Sequence, residues 1–132
     1  MNNDLAATKT LISELIELKK SSNAEVMIAP TFVNLLEASK LLKETSIKVV
    51  SQNMHYAESG AFTGEISAKM LKAVGVNTVI LGHSERREYF KEDDLILKEK
   101  VDKALQESME VIFCFAQVSL PGRQHQRLGS VR

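Results

Sequence analysis

Asn77-Thr78-Val79-Ile80-Leu81-Gly82-His83-Ser84-Glu85-Arg86-Arg87 is the stretch on which the fold turns. Its first half is a short apolar run without polar alternation, as a strand buried on both faces requires. Its second half switches to glycine, histidine, serine and charge, the composition of a loop entering a helix. The same cycle stands on either side. Upstream, Ile47 to Gln52 reads as a strand, and Ser67 to Val74 as a helix that Gly75 ends at its C′ position. Further back, Glu25-Val26-Met27-Ile28-Ala29-Pro30 is a strand closed by proline, followed by a helix through Leu35, Leu36, Ala38, Leu41 and Leu42. The first helix starts after Asp4, a candidate cap, and runs to about Lys20, with Leu11, Ile12, Leu15, Ile16 and Leu18 at helical spacing. Downstream, Leu97, Val101, Ala104 and Leu105 mark a helix capped by Asp93 or Asp94, and Val111 to Phe115 is a fourth strand.

The order is therefore α-β-α-β-α-β-α-β. Apolar strands separated by helices are joined by right-handed crossovers into a parallel sheet, which gives the α/β class with four parallel strands. Order alone does not separate an open sheet from a closed barrel. Each strand-helix unit is about 20 to 35 residues long, which fits a barrel of eight units in about 250 residues, and on that scale the chain holds half of one. Residues 1–115 form the domain. From Ala116 to Arg132 the helical period disappears and Pro, Gly, Gln, Arg and Ser accumulate, so 116–132 is expected to be an irregular, disordered tail.

Of the 132 residues, 44% are hydrophobic and 26% charged, the balance of a soluble globular domain. Seventeen basic and seventeen acidic residues cancel, which disfavours nucleic acid and anionic membranes as partners. Cys114 is the sole cysteine, so no intramolecular disulfide framework or Cys-rich zinc pattern exists. No basic stretch followed by an apolar run opens the chain, and no segment has membrane-spanning length. A cytoplasmic protein is the expectation.

Reactive groups in parallel α/β folds collect at the carboxyl ends of strands. His83 follows a buried strand and precedes a helical turn, whose partial positive charge favours the neutral imidazole. Such an imidazole can donate a hydrogen bond to a carbonyl oxygen on which negative charge develops. The plainer reading makes His83 a satisfied polar residue at a strand end and Ser84 a cap. A second feature is Asn53 to Glu65, too long for a strand-to-helix loop of about 2 to 6 residues. Its Met54, Tyr56, Ala61 and Phe62 are more apolar than a solvated linker needs, which points either to a partner subunit or to a loop folded on its own domain.

Other residues read as structural. Cys114 lies in an apolar strand and behaves as a small core residue. Arg86, Arg87, Glu88, Lys91, Glu92, Asp93 and Asp94 read as a solvated helical start whose ion pairs are worth about 0 to 1 kcal/mol each. His55 and His125 lack ligand-spaced neighbours, so no metal site is expected, and no phosphate or dinucleotide glycine fingerprint is present.

Taken whole, Val79 to Arg87 resembles the signature after the fourth strand of the triosephosphate isomerase family. The similarity extends through Ile28-Ala29-Pro30 at the second strand, Gln52-Asn53 opening the third loop and Phe62-Thr63-Gly64-Glu65-Ile66-Ser67 closing it, over about Met1 to Phe115. It implies a partial (β/α)8 barrel holding strands two to five. It also implies interconversion of dihydroxyacetone phosphate and D-glyceraldehyde 3-phosphate, a step of glycolysis and gluconeogenesis, through an enediol and without cofactor or metal. The family is a known case of a glutamate base working with a neutral histidine. By resemblance His83 is the electrophile and Glu85 a supporting residue. Thr63, with Phe62 and Gly64, is the loop tip that enters a pocket of the second subunit of a homodimer.

The sequence also departs from that family. The family's first strand leads through Asn and Lys to Met-Asn, whereas this sequence opens at Met1-Asn2. After the fifth strand the family continues with Gly-Glu, whereas here Ala116-Gln117 begins a tail that does not follow the pattern. The expectation is a chain without the catalytic lysine, the glutamate base, the lid or the later phosphate loops, inactive by itself. The alternative is a noncatalytic half-barrel that self-associates through its unpaired outer strands.

Overall fold

A computed structural model of the chain describes residues 2–19 and 23–115. The tail expected over 116–132, and His125 within it, lie outside the described residues. Among these, four strands form one parallel sheet in the order β1 (Met27–Ile28), β2 (Lys48–Ser51), β3 (Thr78–Leu81) and β4 (Glu110–Phe113). Helix α1 (Leu5–Lys19) precedes β1, α2 (Leu35–Leu42) joins β1 to β2 after a 3₁₀ turn at Phe32–Asn34, and α3 (Ala68–Ala73) joins β2 to β3. Two helices stand between β3 and β4: α4 (Ser84–Tyr89), which is the helical turn expected after His83, and α5 (Asp94–Gln106). Parallel neighbours in sequence order, each reached through helix, are the repeating unit of a (β/α)8 barrel, so the fold is α/β and a partial barrel.

Local chemistry explains the helix boundaries. The Asp4 carboxylate accepts the Ala7 N–H at 2.8 Å, Ser67 Oγ accepts from Met70, and the Asp93 carboxylate accepts from Ile96 at 2.9 Å, each satisfying an N–H that the first turn leaves open. At its other end, α3 stops in a Schellman motif. Val76 N–H reaches Leu71 O and Gly75 N–H reaches Lys72 O, with Gly75 at φ +82°. Helix α5 ends the same way, Met109 bonding Ala104 and Ser108 bonding Leu105, but there a serine holds the left-handed position at φ +56°.

Each strand has two faces, because side chains alternate along it. Val79, Leu81 and Val111 pack with Leu35, Leu71, Val76 and Ala104 in the main core, joined by the half-buried Val49 and Phe113. The alternate positions Lys48, Val50, Thr78, Ile80, Glu110 and Ile112 turn the other way. At their amino end Lys48 pairs with Glu110 at 3.6 Å, and Thr78 Oγ1 donates to the same carboxylate at 3.2 Å. A second, smaller core joins Ile12 of α1 to Ala38, Leu42 and Ile47.

One expected strand is shorter, and one expected helix buries less of its apolar stripe, than the sequence pattern suggested. The first strand keeps only Met27 and Ile28, because among the described residues it pairs on one side alone and Pro30 has no N–H to give to a ladder. In α1 only Thr8 and Ile12 are buried, while Leu11 and Leu18 are exposed, because α2 is the helix that meets α1.

Candidate active site

The carboxyl ends of the strands bring Ala29, Gln52, His83 and Cys114 to one rim of the sheet. Gln52 Nε2 donates to Ala29 O at 2.8 Å, tying the ends of β2 and β1 together. His83 stands two residues beyond the end of β3, separated from it by Gly82. At φ +79°, Gly82 turns the chain out of the strand, and a Cβ there would lie 2.5 Å from the Cys114 carbonyl oxygen. Glycine is therefore the residue that lets the backbone leave β3 against β4 and present the histidine.

His83 is itself the N-cap of α4, with φ −55° and ψ 138°. Its Nδ1 accepts the backbone N–H of Glu85 at 3.3 Å. A nitrogen that accepts carries no proton, so the neutral ring holds its proton on Nε2. About half of the side chain is open to solvent. An Nε2–H so fixed, on the barrel rim, can donate to a carbonyl oxygen. The plainer reading is met as well, since the ring caps a helix, but it is the histidine and not Ser84 that does so.

Glu85 stands in the first turn of α4, mostly exposed, with Oε2 3.7 Å from His83 Nδ1. The two expected site residues are thus brought together. Both facing atoms are acceptors while the ring is neutral, so it is through its N–H that Glu85 orients the imidazole.

Thr63, Phe62 and Gly64 lie elsewhere, at the tip of the long loop. Glu65 N–H bonds Phe62 O at 3.0 Å, closing a turn in which Gly64, at φ +92°, occupies the position that needs a left-handed residue. Thr63 is exposed at the apex. Behind it, the His55 ring lies 4.2 Å from both Tyr56 and Phe62, and His55 Nδ1 accepts the Ala57 N–H at 3.0 Å. Met54 is wholly buried in the main core. The apolar residues of the loop therefore divide between anchoring it to its own domain and stiffening a projecting tip.

Sequence reasoning missed a buried ionic cluster beside this loop. The run Arg86 to Asp94 is not uniformly solvated: Glu92 is 6% exposed and takes Arg86 Nε at 2.6 Å and Lys100 Nζ at 2.6 Å on one oxygen. Lys100, 3% exposed, also donates to Asn53 Oδ1 at 2.9 Å, reaching the start of the long loop. Burial works against the Glu92 carboxylate, but hydrogen bonds and charge from Lys100 and Arg86 outweigh it and hold the group below its ordinary range. Burial also dominates at Lys100, pushing it down against the pull of Glu92. The available signal was Lys100 itself, a charge set between Leu97, Val101 and Ala104 on the apolar stripe. Cys114 is buried as expected, and burial pushes its thiol up. Among the described residues no group of three or more His, Cys, Asp or Glu could hold a metal ion.

The family described as triosephosphate isomerase matches residues 1–129, beyond the Phe115 at which the resemblance read from sequence ended. A triosephosphate isomerase of Flavobacterium psychrophilum is 56% identical over 128 residues, covering 96% of this chain and 51% of that protein. Those of Flavobacterium johnsoniae and Clostridium acetobutylicum are 56% and 50% identical, covering 89% and 86% of this chain and 47% and 46% of theirs. The chain spans about half the length of the curated relatives it matches.

Proposed function

Because the chain belongs to the triosephosphate isomerase family, we propose that it carries the electrophilic part of the isomerase site for dihydroxyacetone phosphate and D-glyceraldehyde 3-phosphate. The observation that carries this reading is the Glu85 N–H donated to His83 Nδ1, since it leaves Nε2–H as the one ring donor. As a proton leaves the carbon beside the substrate carbonyl, charge gathers on the carbonyl oxygen. A donor fixed beforehand stabilises that charge without reorganising. Glu85 supports the ring through its backbone. The reaction needs no cofactor or metal.

In the proposal, Thr63, Phe62 and Gly64 form an intersubunit contact of a cytoplasmic homodimer, and the rigid, exposed turn supports that role. No helix among the described residues is long and apolar enough to cross a membrane. Glu85 Oε2 lies 3.7 Å from His83 Nδ1, the ring nitrogen without a proton, and so does not serve as the base in this arrangement. The 132-residue chain by itself is therefore proposed to be inactive, since general-base assistance supplies about 10²- to 10⁴-fold of rate.

A chimera tests the site directly. Residues 2–115 should replace the matching stretch of the Flavobacterium psychrophilum relative, with and without His83→Gln, and be assayed on D-glyceraldehyde 3-phosphate. The His83 chimera should turn over, and the variant should lose about 10²- to 10³-fold in kcat. Equal turnover by the two would remove His83 from the mechanism.

The second reading, a noncatalytic self-associating half-barrel, has its own observation. Among the described residues the outward edge of β4 is unpaired, and a groove of about 1030 Å³ lined mainly by Leu97, Val101, Leu105, Met109, Val111 and Phe113 runs beside it.

A further inference from the structure

The two arginines of the His83 stretch point to different tasks. Arg86 turns to the buried Glu92 and lies 4.4 Å from the centre of the Phe90 ring. Arg87 turns back to the strand end. Its Nε donates to Gly82 O at 3.0 Å, its Nη1 to Asp94 Oδ1 at 2.8 Å, and its guanidinium carbon is 5.9 Å from the centre of the Phe113 ring. Its backbone N–H also reaches His83 O at 3.2 Å. The carbonyls of the peptides before and after His83 are thus held by one residue, and that residue is tied to the first turn of α5 and to β4.

This matters because Gly82 is the weak point of the rim. Its carbonyl lies beyond the last ladder bond of β3, which runs from Cys114 N–H to Leu81 O, its backbone is left-handed, and glycine restricts its own torsions least of all residues. The torsions of His83 set where its ring lies relative to the Glu85 N–H, and turning the Gly82–His83 peptide would change them and swing the ring away. The Gly82 carbonyl is the handle by which such a rotation can be stopped.

We propose that Arg87 is a positioning residue for His83: by gripping the Gly82 carbonyl it fixes the turn that keeps Nδ1 on the Glu85 N–H and the ring proton on Nε2. The inference rests on His83 being the reactive group, but its test does not use turnover, so it stands or falls separately from the isomerase reading.

The readouts are imidazole ¹⁵N shifts and amide hydrogen exchange in the 132-residue chain, with His83 assigned by His83→Gln. In the parent chain at alkaline pH, the His83 ring should show a single tautomer protonated at Nε2, and the Glu85 amide should be protected. Arg87→Gln and Arg87→Lys should both lower Glu85 protection by about five- to tenfold, the equivalent of one net hydrogen bond, and mix the His83 tautomers. Amides of Val79, Leu97 and Ala104 should keep their protection. Asp94→Ala, which removes the Nη1 acceptor and leaves the Gly82 carbonyl contact in place, should leave His83 close to the parent. Parent-like His83 and Glu85 signals in both Arg87 variants overturn the proposal. So does loss of protection across the whole sheet in both, which would assign Arg87 to the fold in general.

Discussion

Lys100 Nζ, in the second turn of α5, donates to Glu92 Oε1 at 2.6 Å with both side chains shut off from solvent. Breaking one side of such a pair leaves the other charge buried, which costs about 3–5 kcal/mol, whereas replacing both by apolar groups is often neutral. Lys100→Met should therefore lower the urea midpoint strongly, and Lys100→Met with Glu92→Leu should recover part of the loss. Lys98→Met, which removes an exposed pair with Asp102, should change stability by less than about 1 kcal/mol. Equal midpoints for the two single variants would refute a structural role for the buried pair.

Acid unfolding should report the same cluster. The Glu92 carboxyl in the folded chain lies below its ordinary value of 4.5. A depressed carboxyl contributes stability that is present above the unfolded value and is lost as pH falls through the folded one. The stability of the parent chain should thus fall as pH drops below 4.5, and Glu92→Gln should have a flatter acid limb. Parallel acid limbs, read by denaturant midpoint against pH, would contradict this.

Three backbone positions separate steric from torsional cost. Gly82→Ala sets a Cβ 2.5 Å from the Cys114 carbonyl, while in Gly75→Ala the close neighbour is the movable Ser39 hydroxyl at 2.7 Å. Both incur left-handed strain of about 1–2 kcal/mol, so Gly82→Ala should be the costlier by the clash. Ser108 already bears that strain in an equivalent C′ position, exposed to solvent. Ser108→Gly should stabilise by up to about 1 kcal/mol. Midpoints in the reverse order would invalidate the assignment.

The loop tip gives a prediction that depends on a partner. Thr63 is exposed, so Thr63→Ala should leave the stability of the 132-residue chain unchanged within about 0.5 kcal/mol. In the full-length chimera the same change should weaken the dimer, read by sedimentation velocity at falling concentration. Phe62→Ala should weaken it too and also loosen the loop, because its ring packs on His55. An unchanged dimer in both variants would reject the intersubunit role.

The edge of β4 that no described residue covers should make the isolated chain associate. Sedimentation of the 132-residue chain should give a mass that rises with concentration. Leu105→Glu, at a side chain 61% exposed beside the groove, should reduce that rise without altering the far-ultraviolet spectrum. A constant monomer mass would dispose of the self-association reading.

Much of the architecture was legible from local pattern. Val79 to Leu81 reads as strand because continuous apolar β-formers suit a paired, covered segment. Asp4, the Asp93-Asp94 pair and Gly75 mark helix ends through bonds that span only a few residues, while Ser67, read as the first residue of its helix, is its cap. The placement of His83 at a strand end was legible for the same reason. What was not legible was the fate of the charges after it. Glu92 and Asp93 are neighbours of like charge, yet Glu92 is buried while Asp93 caps α5 at the surface.

The order of strands and helices, and the glycine-histidine turn after the third strand, followed from sequence alone, because they depend on torsional preference and periodicity over a few residues. Which charges would be buried, and that Arg86 and Arg87 would part to opposite sides, was decided only in three dimensions. The Asn53 amide and Lys100 are 47 residues apart in sequence and meet at 2.9 Å. No local rule anticipates a partner at that separation, since desolvation is set by whatever the folded chain brings alongside.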